Sequence, residues 1–205
     1  MIRRAVDLVV AATALVVLSP VLAVLAFFVR LGLGRPVLFR QPRSGLHGEA
    51  FTIVKLRTMR DERYPGEPDA DRTPKLGHLL RATSLDELPQ LVNVLRGEMS
   101  LIGPRPTLPE QVARYGPHER RRLEIPPGLT GWAQVNGRNS LTWPERIELD
   151  IWYIDHRSLA LDLRIAFRTV ARLLRPHGVT GEGGVNPDFP GPTDPPSPTP
   201  PAPPA

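Results

Sequence analysis

The amino-acid sequence predicts an α+β protein that is mostly helical and attached to a membrane. A segment of 22 residues without a charge lies near the N-terminus, from Leu8 to Val29. Two apolar runs flank a glycine-containing turn and indicate a small β-hairpin. Further along the chain, apolar residues recur at helical spacing in 88–95 and 159–174. These patterns are typical of one folded domain with a membrane anchor.

The composition narrows the range of functions. The 205-residue chain has 26 Lys and Arg against 21 Asp and Glu, and its net charge of +5 favours anionic partners such as phosphates or acidic lipid. It has no cysteine, which excludes disulfides, zinc–thiolate sites and thiol nucleophiles. Its five histidines never stand three or four residues apart, so a helical pair of metal ligands is not expected. Nucleic-acid binding is not expected either, because the basic residues are not interleaved with aromatic ones.

The chain divides into three parts. Residues 1–35 contain the apolar segment, and residues 36–189 have the composition of a folded domain. The last sixteen residues, 190–205, contain nine of the 25 prolines and predict a disordered tail.

The apolar segment is long enough, at about 1.5 Å per residue, to cross the roughly 30 Å hydrocarbon layer. It is too long for a secretory signal peptide and has no evident cleavage site. Ser19 and Pro20 interrupt it near the middle, where proline removes a backbone hydrogen bond and favours a kink, and the serine hydroxyl could bind a freed carbonyl. Basic residues flank both ends, so charge gives no direction of crossing. The residues alone leave a re-entrant helix and a spanning helix equally open.

A second helix could contact a membrane surface. In residues 157–175, apolar side chains occupy one helical face and arginines another. A basic amphipathic helix suits an anionic membrane, and a helix packed on the core with solvated arginines fits the pattern equally well. The apolar set is Leu159, Leu163, Ala166, Val170 and Leu174, and the basic set is Arg164, Arg168, Arg172 and Arg175.

The predicted hairpin joins residues 36–42 to residues 50–59. Strand alternation places Lys55 and Arg57 on the same face of the second strand. Two cations held together on a strand can bind a pair of phosphates, and a solvated strand face is the alternative.

The segment SLDELPQL, residues 84–91, places Asp86 and Glu87 at the start of a predicted helix. Ser84 with Glu87 fits a capping box, which would account for Glu87 but not for Asp86. The same helix start is suited to phosphate binding, with Arg81 close by in the sequence. Paired carboxylates are also suited to a magnesium ion.

Two further segments complete the candidate site. Residues 100–106 hold an arginine between two prolines, and residues 127–139 carry three glycines around Trp132. Glycine-rich backbone can approach a ligand closely and offer N–H groups to an anion. Neither segment is a Walker A or dinucleotide-binding fingerprint. The candidate ligand-binding residues here are Pro104, Arg105, Pro106, Gln134 and Arg138.

Three long motifs resemble those of a known family. They are KLRTM at 55–59, RATSLDELPQLVNVLRGEMSLIGPRP at 81–106 and PGLTGWAQVNGRN at 127–139, and they follow the apolar segment with its Ser-Pro pair. In this order they are similar to the bacterial sugar transferases that are monotopic phosphoglycosyl transferases, and above all to the small, minimal-domain members, such as the initiating transferase of bacterial N-glycosylation. The resemblance covers about residues 2–185.

The resemblance implies a reaction. Family members transfer a sugar 1-phosphate from a nucleotide-activated sugar, usually a UDP-sugar, to polyprenol phosphate, and they release UMP. It implies that Asp86 is the nucleophile, that a phosphosugar–aspartyl intermediate forms in a ping-pong scheme, and that Glu87 helps to hold Mg²⁺. It assigns Pro104, Arg105 and Pro106 to nucleotide-sugar binding. The charge on the phosphoryl oxygens could be neutralised by Mg²⁺ together with Lys55, Arg57, Arg81 and Arg105.

The resemblance also implies a location. It favours the re-entrant topology with its break at Ser19 and Pro20, and it places residues 36–189 as a cytoplasmic catalytic domain on the bacterial inner membrane. The expected role is the first membrane step in making exopolysaccharide, capsule, O-antigen or glycoprotein glycan. Two alternatives are a non-enzymatic membrane scaffold, in which Asp86 and Glu87 only cap a helix, and an enzyme that acts on soluble nucleotide sugars.

Overall fold

The computed structural model describes residues 2–137, 141–174 and 189–192. In these ranges a long helix, α1 (Ile2–Leu33), lies against a domain of shorter helices and two two-stranded sheets. The structure thus confirms a mostly helical α+β protein with an apolar N-terminal helix.

The domain elements are mostly short. The strands are β1 (Leu38–Ser44), β2 (Ala50–Leu56), β3 (Ser100–Ile102) and β4 (Gly128–Thr130). The remaining α-helices are α2 (Asp69–Arg72), α3 (Lys75–Thr83), α4 (Leu91–Arg96), α5 (Pro109–Val112), α6 (Pro117–Arg120), α7 (Trp132–Asn136), α8 (Trp143–Asp155) and α9 (Leu159–Leu174). Short 3-10 helices span Leu46–Gly48, Leu85–Gln90 and Arg121–Leu123.

Helix α1 is apolar and largely exposed. Within the described chain it alone is long and apolar enough to cross a membrane, and only 6% of its most apolar 18-residue window is buried. Pro20 lies inside this helix, and Ser19 Oγ donates to Val16 O at 2.8 Å. Val16 O is the carbonyl that the missing Pro20 N–H would otherwise bind. The hydroxyl therefore satisfies the carbonyl freed at the Ser-Pro pair, and α1 continues through the position at which the sequence predicted a break.

The N-terminal end of α1 is tied to the domain by polar contacts. Asp7 accepts hydrogen bonds from Ser100 Oγ at 2.8 Å and from the following backbone N–H in β3 at 3.0 Å. Arg4 donates to two carbonyls at the C-terminal end of α4, at 2.6 and 2.9 Å. Arg3 Nε pairs with Asp162 Oδ2 of α9 at 2.6 Å. This end of α1 is therefore fixed to three elements of the domain.

The C-terminal end of α1 is tied to the same domain by apolar packing. Val29 is fully buried in a cluster with Leu56 of β2 and Leu80 of α3. Burying a side chain of this size contributes about 1.5–3 kcal/mol. Arg57 Nη1 also donates to Arg35 O, just after α1, at 3.1 Å. Both ends of the apolar helix thus contact one folded body.

The predicted hairpin is confirmed. Strands β1 and β2 pair antiparallel, with Leu38 opposite Leu56 and Ser44 opposite Ala50. Gly48, in the connecting turn, has φ of +85°, a conformation that glycine adopts without strain. One face of the hairpin carries the opposed pairs Phe39–Lys55, Gln41–Ile53 and Arg43–Phe51. Ile53 is buried against Leu91 of α4, so this face lies toward the segment that contains Asp86.

A second sheet, which the sequence did not predict, joins two motifs. Strands β3 and β4 pair in parallel, with Ser100 opposite Gly128. Gly128 N donates to Pro104 O at 2.8 Å, so contact between the two segments continues past β3. A Cβ at Gly128 would lie 2.1 Å from Gly103 N, and only glycine allows this close approach. The loop with Pro104 and the start of α7 therefore lie at the same edge of the sheet.

Helix α9 has one apolar side in the core and a second one exposed. Ile165 is fully buried with Trp132 and Tyr153. The exposed apolar set is Leu159, Leu163, Phe167, Val170 and Leu173. Helix α9 therefore packs on the core, which was one of the two alternatives from the sequence, and it also carries an outward apolar stripe.

Phe189 lies in the core of the domain. Phe189 is 2% exposed and makes edge-to-face contacts with Tyr115 and Trp143. The boundary of the folded part near this residue stays a prediction. Most of the predicted tail, residues 193–205, lies outside the described residues.

Candidate active site

Asp86 and Glu87 lie in the 3-10 helix Leu85–Gln90, between α3 and α4. The predicted capping box is wrong. Ser84 has a left-handed conformation, with φ of 56°, and its side chain makes no capping bond to this helix. An N-cap residue needs extended backbone, whereas Ser84 here ends α3.

Asp86 is a buried carboxyl group, only 4% exposed. Burial, and then repulsion from Glu87, raises its pKa to about 6. The positive charges of Lys55, Arg105 and Arg81 act in the opposite direction and limit this rise. Asp86 is therefore ionised at neutral pH in surroundings that favour its neutral form, which is typical of reactive groups.

Glu87 is held by Arg105 of the Pro-Arg-Pro loop. Arg105 Nη1 donates to Glu87 Oε2 at 3.3 Å, and Arg105 Nη2 donates to Oε1. This two-pronged pairing fixes the plane of the carboxylate. The two ends of the second long motif, residues 81–106, are thus joined at the Asp-Glu pair.

Lys55 and Arg81 supply two more cations. Lys55 lies on the hairpin face toward Asp86, and its Nζ is 5.1 Å from the centroid of the Phe39 ring. Burial lowers the pKa of Lys55, while the charges of Asp86 and Glu87 oppose that shift. Arg81 Nε donates to Thr58 Oγ1 at 3.0 Å. The KLRTM motif therefore supplies one cation and orients another.

Arg57 is not part of this cluster, contrary to the prediction. Its Nε donates to Met59 O at 2.9 Å, and its Nη2 pairs with Asp61 Oδ1 at 2.8 Å. Its Nη1 donates to Arg35 O, just after α1. These contacts occupy the guanidinium of Arg57 and join the end of α1 to the hairpin. Strand β2 ends at Leu56, so alternation no longer governs where Arg57 points.

The Pro-Arg-Pro loop rests on a buried ion pair that the sequence analysis missed. Arg122 and Asp150 are 3% and 1% exposed, and Arg122 Nε donates to Asp150 Oδ2 at 2.9 Å. Arg122 also donates to Arg105 O at 3.3 Å, and Tyr115 OH donates to Thr107 Oγ1 at 3.2 Å. This network fixes the loop backbone beneath Arg105. No local pattern marks a pair of residues 28 positions apart.

Gln134 lies in α7, at the same sheet edge as the Pro-Arg-Pro loop. Gly131, which precedes α7, packs so closely that a Cβ there would lie 2.1 Å from Gly103 O. The side-chain Nε2 and Oε1 of Gln134 are buried and have no hydrogen-bond partner. An unpaired buried amide is unusual and is suited to a ligand or a water molecule. Arg138, the other candidate in this motif, lies outside the described residues.

The acidic residues at the site are few. Across the described ranges no group of three or more His, Cys, Asp or Glu side chains could hold a metal ion. Asp86 and Glu87 supply two carboxylates, and Mg²⁺ is commonly held by one or two carboxylates together with substrate phosphates and water. The pair therefore fits a magnesium ion whose coordination is completed by substrate rather than by the protein alone.

Most of this chain matches known proteins of one family. Residues 1–176 match a family described as bacterial sugar transferase. The uncharacterized sugar transferase EpsL of Bacillus subtilis is 47% identical over 181 residues, which cover 87% of this chain and 90% of EpsL. The UDP-glucose:undecaprenyl-phosphate glucose-1-phosphate transferase of Caulobacter vibrioides is 44% identical, over 84% of this chain and 69% of that protein. The Escherichia coli protein of the same name is 40% identical over 83% of this chain, which spans only 39% of its length.

Neutralising Asp86 should stabilise the protein at neutral pH. The pKa of Asp86 is about 6 in the folded state, against an ordinary value of 3.8. The native state binds more protons between these values, so stability falls as the pH rises through this window. We expect Asp86→Asn to raise the free energy of unfolding at pH 7 by about 1–3 kcal/mol, with no gain at pH 4.

The measurement is thermal unfolding in detergent with EDTA, at both pH values. Glu49→Gln, which changes an exposed carboxylate in the hairpin turn, is the control and should leave stability unchanged. If Asp86→Asn made the protein less stable than the parent at pH 7, the assignment of Asp86 as a strained carboxylate would be contradicted.

Proposed function

Because this chain belongs to the bacterial sugar transferase family, we propose that it transfers a sugar 1-phosphate from a UDP-sugar to polyprenol phosphate, releasing UMP. The product is a polyprenol-diphosphate-sugar, the first lipid-linked intermediate of a surface glycan. The names of the Caulobacter and Escherichia coli relatives support this reaction class. The observation that carries the proposal is the buried Asp86 carboxylate, which lies beside Glu87 among cations from separate motifs.

In the first step, an ionised Asp86 oxygen attacks the β-phosphorus of the UDP-sugar. A bond forms between that oxygen and phosphorus, and the bond from phosphorus to the bridging oxygen breaks. UMP leaves with the electron pair, and the sugar phosphate stays on Asp86. A covalent step of this kind lets two phosphate substrates use one site in turn.

In the second step, a phosphate oxygen of polyprenol phosphate attacks the same phosphorus. The bond to Asp86 breaks, and the carboxylate is restored for the next cycle. The two steps make a ping-pong scheme in which UMP leaves before the lipid phosphate reacts. The raised pKa of Asp86 supports this role, because a destabilised carboxylate is a better nucleophile than a well-paired one.

The surrounding cations stabilise the charge on the phosphoryl oxygens. Lys55, Arg81 and Arg105 all act electrostatically on Asp86, so they also act on a phosphorus bound to it. Magnesium, when held by Asp86 and Glu87 together with substrate phosphate, would supply further positive charge at this position. Gln134, whose side-chain amide has no protein partner, is available to hydrogen-bond the donor substrate.

We propose a monotopic arrangement on the cytoplasmic face of the bacterial inner membrane. Because both ends of α1 contact the domain that carries Asp86, we place both ends on one side of the bilayer. In the membrane the helix would bend at Ser19 and Pro20, so that it enters and leaves by the same face. The outward apolar stripe of α9 is suited to the adjacent membrane surface. Because UDP-sugars are made in the cytoplasm, we place the domain on the cytoplasmic side of the membrane. A scaffold without catalysis is disfavoured, because a carboxyl group that only caps a helix has no need to be buried near cations from three separate segments, as Asp86 is.

Removing the nucleophile should abolish the reaction. We expect Asp86→Asn to lower Mg²⁺-dependent UMP release by more than about 10³-fold in the presence of a UDP-sugar and polyprenol phosphate. Glu87→Gln should also lower the rate, because it weakens the pairing with Arg105. Glu49→Gln should retain the rate of the parent. Full turnover by the Asp86→Asn variant would exclude Asp86 as the nucleophile.

The topology can be tested with single cysteines, since the chain has none of its own. Ile2→Cys and Arg35→Cys place a thiol at each end of α1, and Val17→Cys places one at its exposed middle. A membrane-impermeant maleimide should label both end positions in inverted vesicles and neither in spheroplasts. The middle position should resist the reagent in both preparations. Labelling of one end from each side would show a spanning helix and contradict the proposal.

A further inference from the structure

Arg43 is a cation close to the site that neither the motifs nor the proposed reaction uses. It lies in β1, two residues from Gln41 and four from Phe39, so these three side chains share one face of the hairpin. Phe39 is opposite Lys55, which places Lys55 on the same face. Arg40 lies on the other face of β1 and is exposed.

The contacts of Arg43 lead to the Pro-Arg-Pro loop. Arg43 Nη2 donates to Gln41 Oε1 at 2.6 Å, and Nη1 makes a long hydrogen bond of 3.3 Å to Pro106 O. The next residue in β1, Ser44, donates its backbone N–H to Thr107 O at 2.9 Å. Arg43 is therefore held directly against the loop that presents its neighbouring cation, Arg105.

Arg43 is incompletely paired where it lies. Its Nε is buried and has no hydrogen-bond partner, and within the described ranges it forms no ion pair with a carboxylate. Burial, and then repulsion from Arg105, lowers the pKa of Arg43 to about 10, while Glu87 and Glu110 oppose this shift. The carboxylate of Glu87 pairs with Arg105, so Arg43 keeps a buried Nε without a partner, which an added anion could bind. Two adjacent arginines of this kind are suited to a phosphate group.

The position of Arg43 indicates which phosphate it would meet. Lys55, Arg105 and Arg81 act on Asp86, whereas Arg43 interacts with Arg105 and Glu87. Arg43 also bonds to Pro106 O, next to the Arg105 that pairs with Glu87, so it lies beside the Arg105–Glu87 pair. With the β-phosphorus of a UDP-sugar at Asp86, the α-phosphate can extend toward this pair.

We infer that Arg43, together with Arg105, binds the α-phosphate of the UDP-sugar and stabilises UMP as it leaves; this inference rests on the proposed function. When Asp86 forms its bond to the β-phosphorus, the bond to the bridging oxygen breaks and the electron pair moves to the departing UMP. The phosphate of UMP thereby gains one negative charge. Guanidinium donors that strengthen their bonds to that oxygen lower the barrier.

The test compares Arg43→Gln with Arg40→Gln, the same change on the exposed face of the same strand. Binding of UMP and of uridine is measured without turnover, by calorimetry on the full-length protein in nanodiscs. We expect Arg43→Gln to weaken UMP binding about tenfold or more and to leave uridine binding unchanged. Arg40→Gln should bind both ligands as the parent does. Arg43→Lys should recover part of the UMP affinity, because it keeps the charge.

Two results would overturn the inference. UMP binding by Arg43→Gln that equals the parent's would show that the guanidinium does not contact the phosphate. An equal loss for UMP and uridine would show that Arg43 only supports the loop through Pro106 O. If Arg43→Gln does not fold, Arg43→Lys is measured instead. A loss of UMP affinity with unchanged uridine binding supports the inference, and UMP binding equal to the parent's contradicts it. A parent protein that binds UMP but transfers no sugar phosphate would refute the proposed reaction and leave the role of Arg43 to the binding data.

Discussion

Asp86 must carry a negative charge at a position from which water is largely excluded, and the surrounding structure is organised around this constraint. At 4% exposure, an isolated carboxylate would favour its neutral form. Three cations keep it ionised at neutral pH: Lys55 from the hairpin, Arg81 from α3 and Arg105 from the loop after β3. Each cation lies on a different element of the fold, because no short segment of chain could place three like charges around one oxygen.

The contacts that hold these cations in place involve much of the fold. The hairpin face with Lys55 is held by the packing of Ile53 on Leu91. The loop with Arg105 rests on the buried pair of Arg122 and Asp150, which costs desolvation energy but fixes the loop backbone. The contacts of Asp7 with the start of β3 join that strand to α1. An apolar helix suited to a membrane is thereby coupled to the position of the charged cluster around Asp86.

The sequence predicted those parts of the molecule that local patterns govern. Alternation and turn glycines indicated the hairpin, and adjacent acids in a long motif marked Asp86 and Glu87. Local rules failed where tertiary contacts decide. Arg57 leaves its expected face because β2 ends one residue earlier, and Ser84 ends α3 instead of capping the next helix. The pairing of β3 with β4 and of Arg122 with Asp150 joins distant segments, and strands of three residues are too short to show a period. Arg43 could have been noticed from alternation in β1, but nothing local connects it to Arg105.

The central claim is that the sugar phosphate passes through a covalent bond to Asp86. The most direct measurement is the intact mass of the protein after incubation with a UDP-sugar and Mg²⁺ in the absence of polyprenol phosphate. We predict an increase by the mass of one sugar phosphate, located to the peptide that contains Asp86 and lost when polyprenol phosphate is added. An unmodified protein that nevertheless turns over when both substrates are present would contradict the account, because transfer would then occur directly between donor and acceptor.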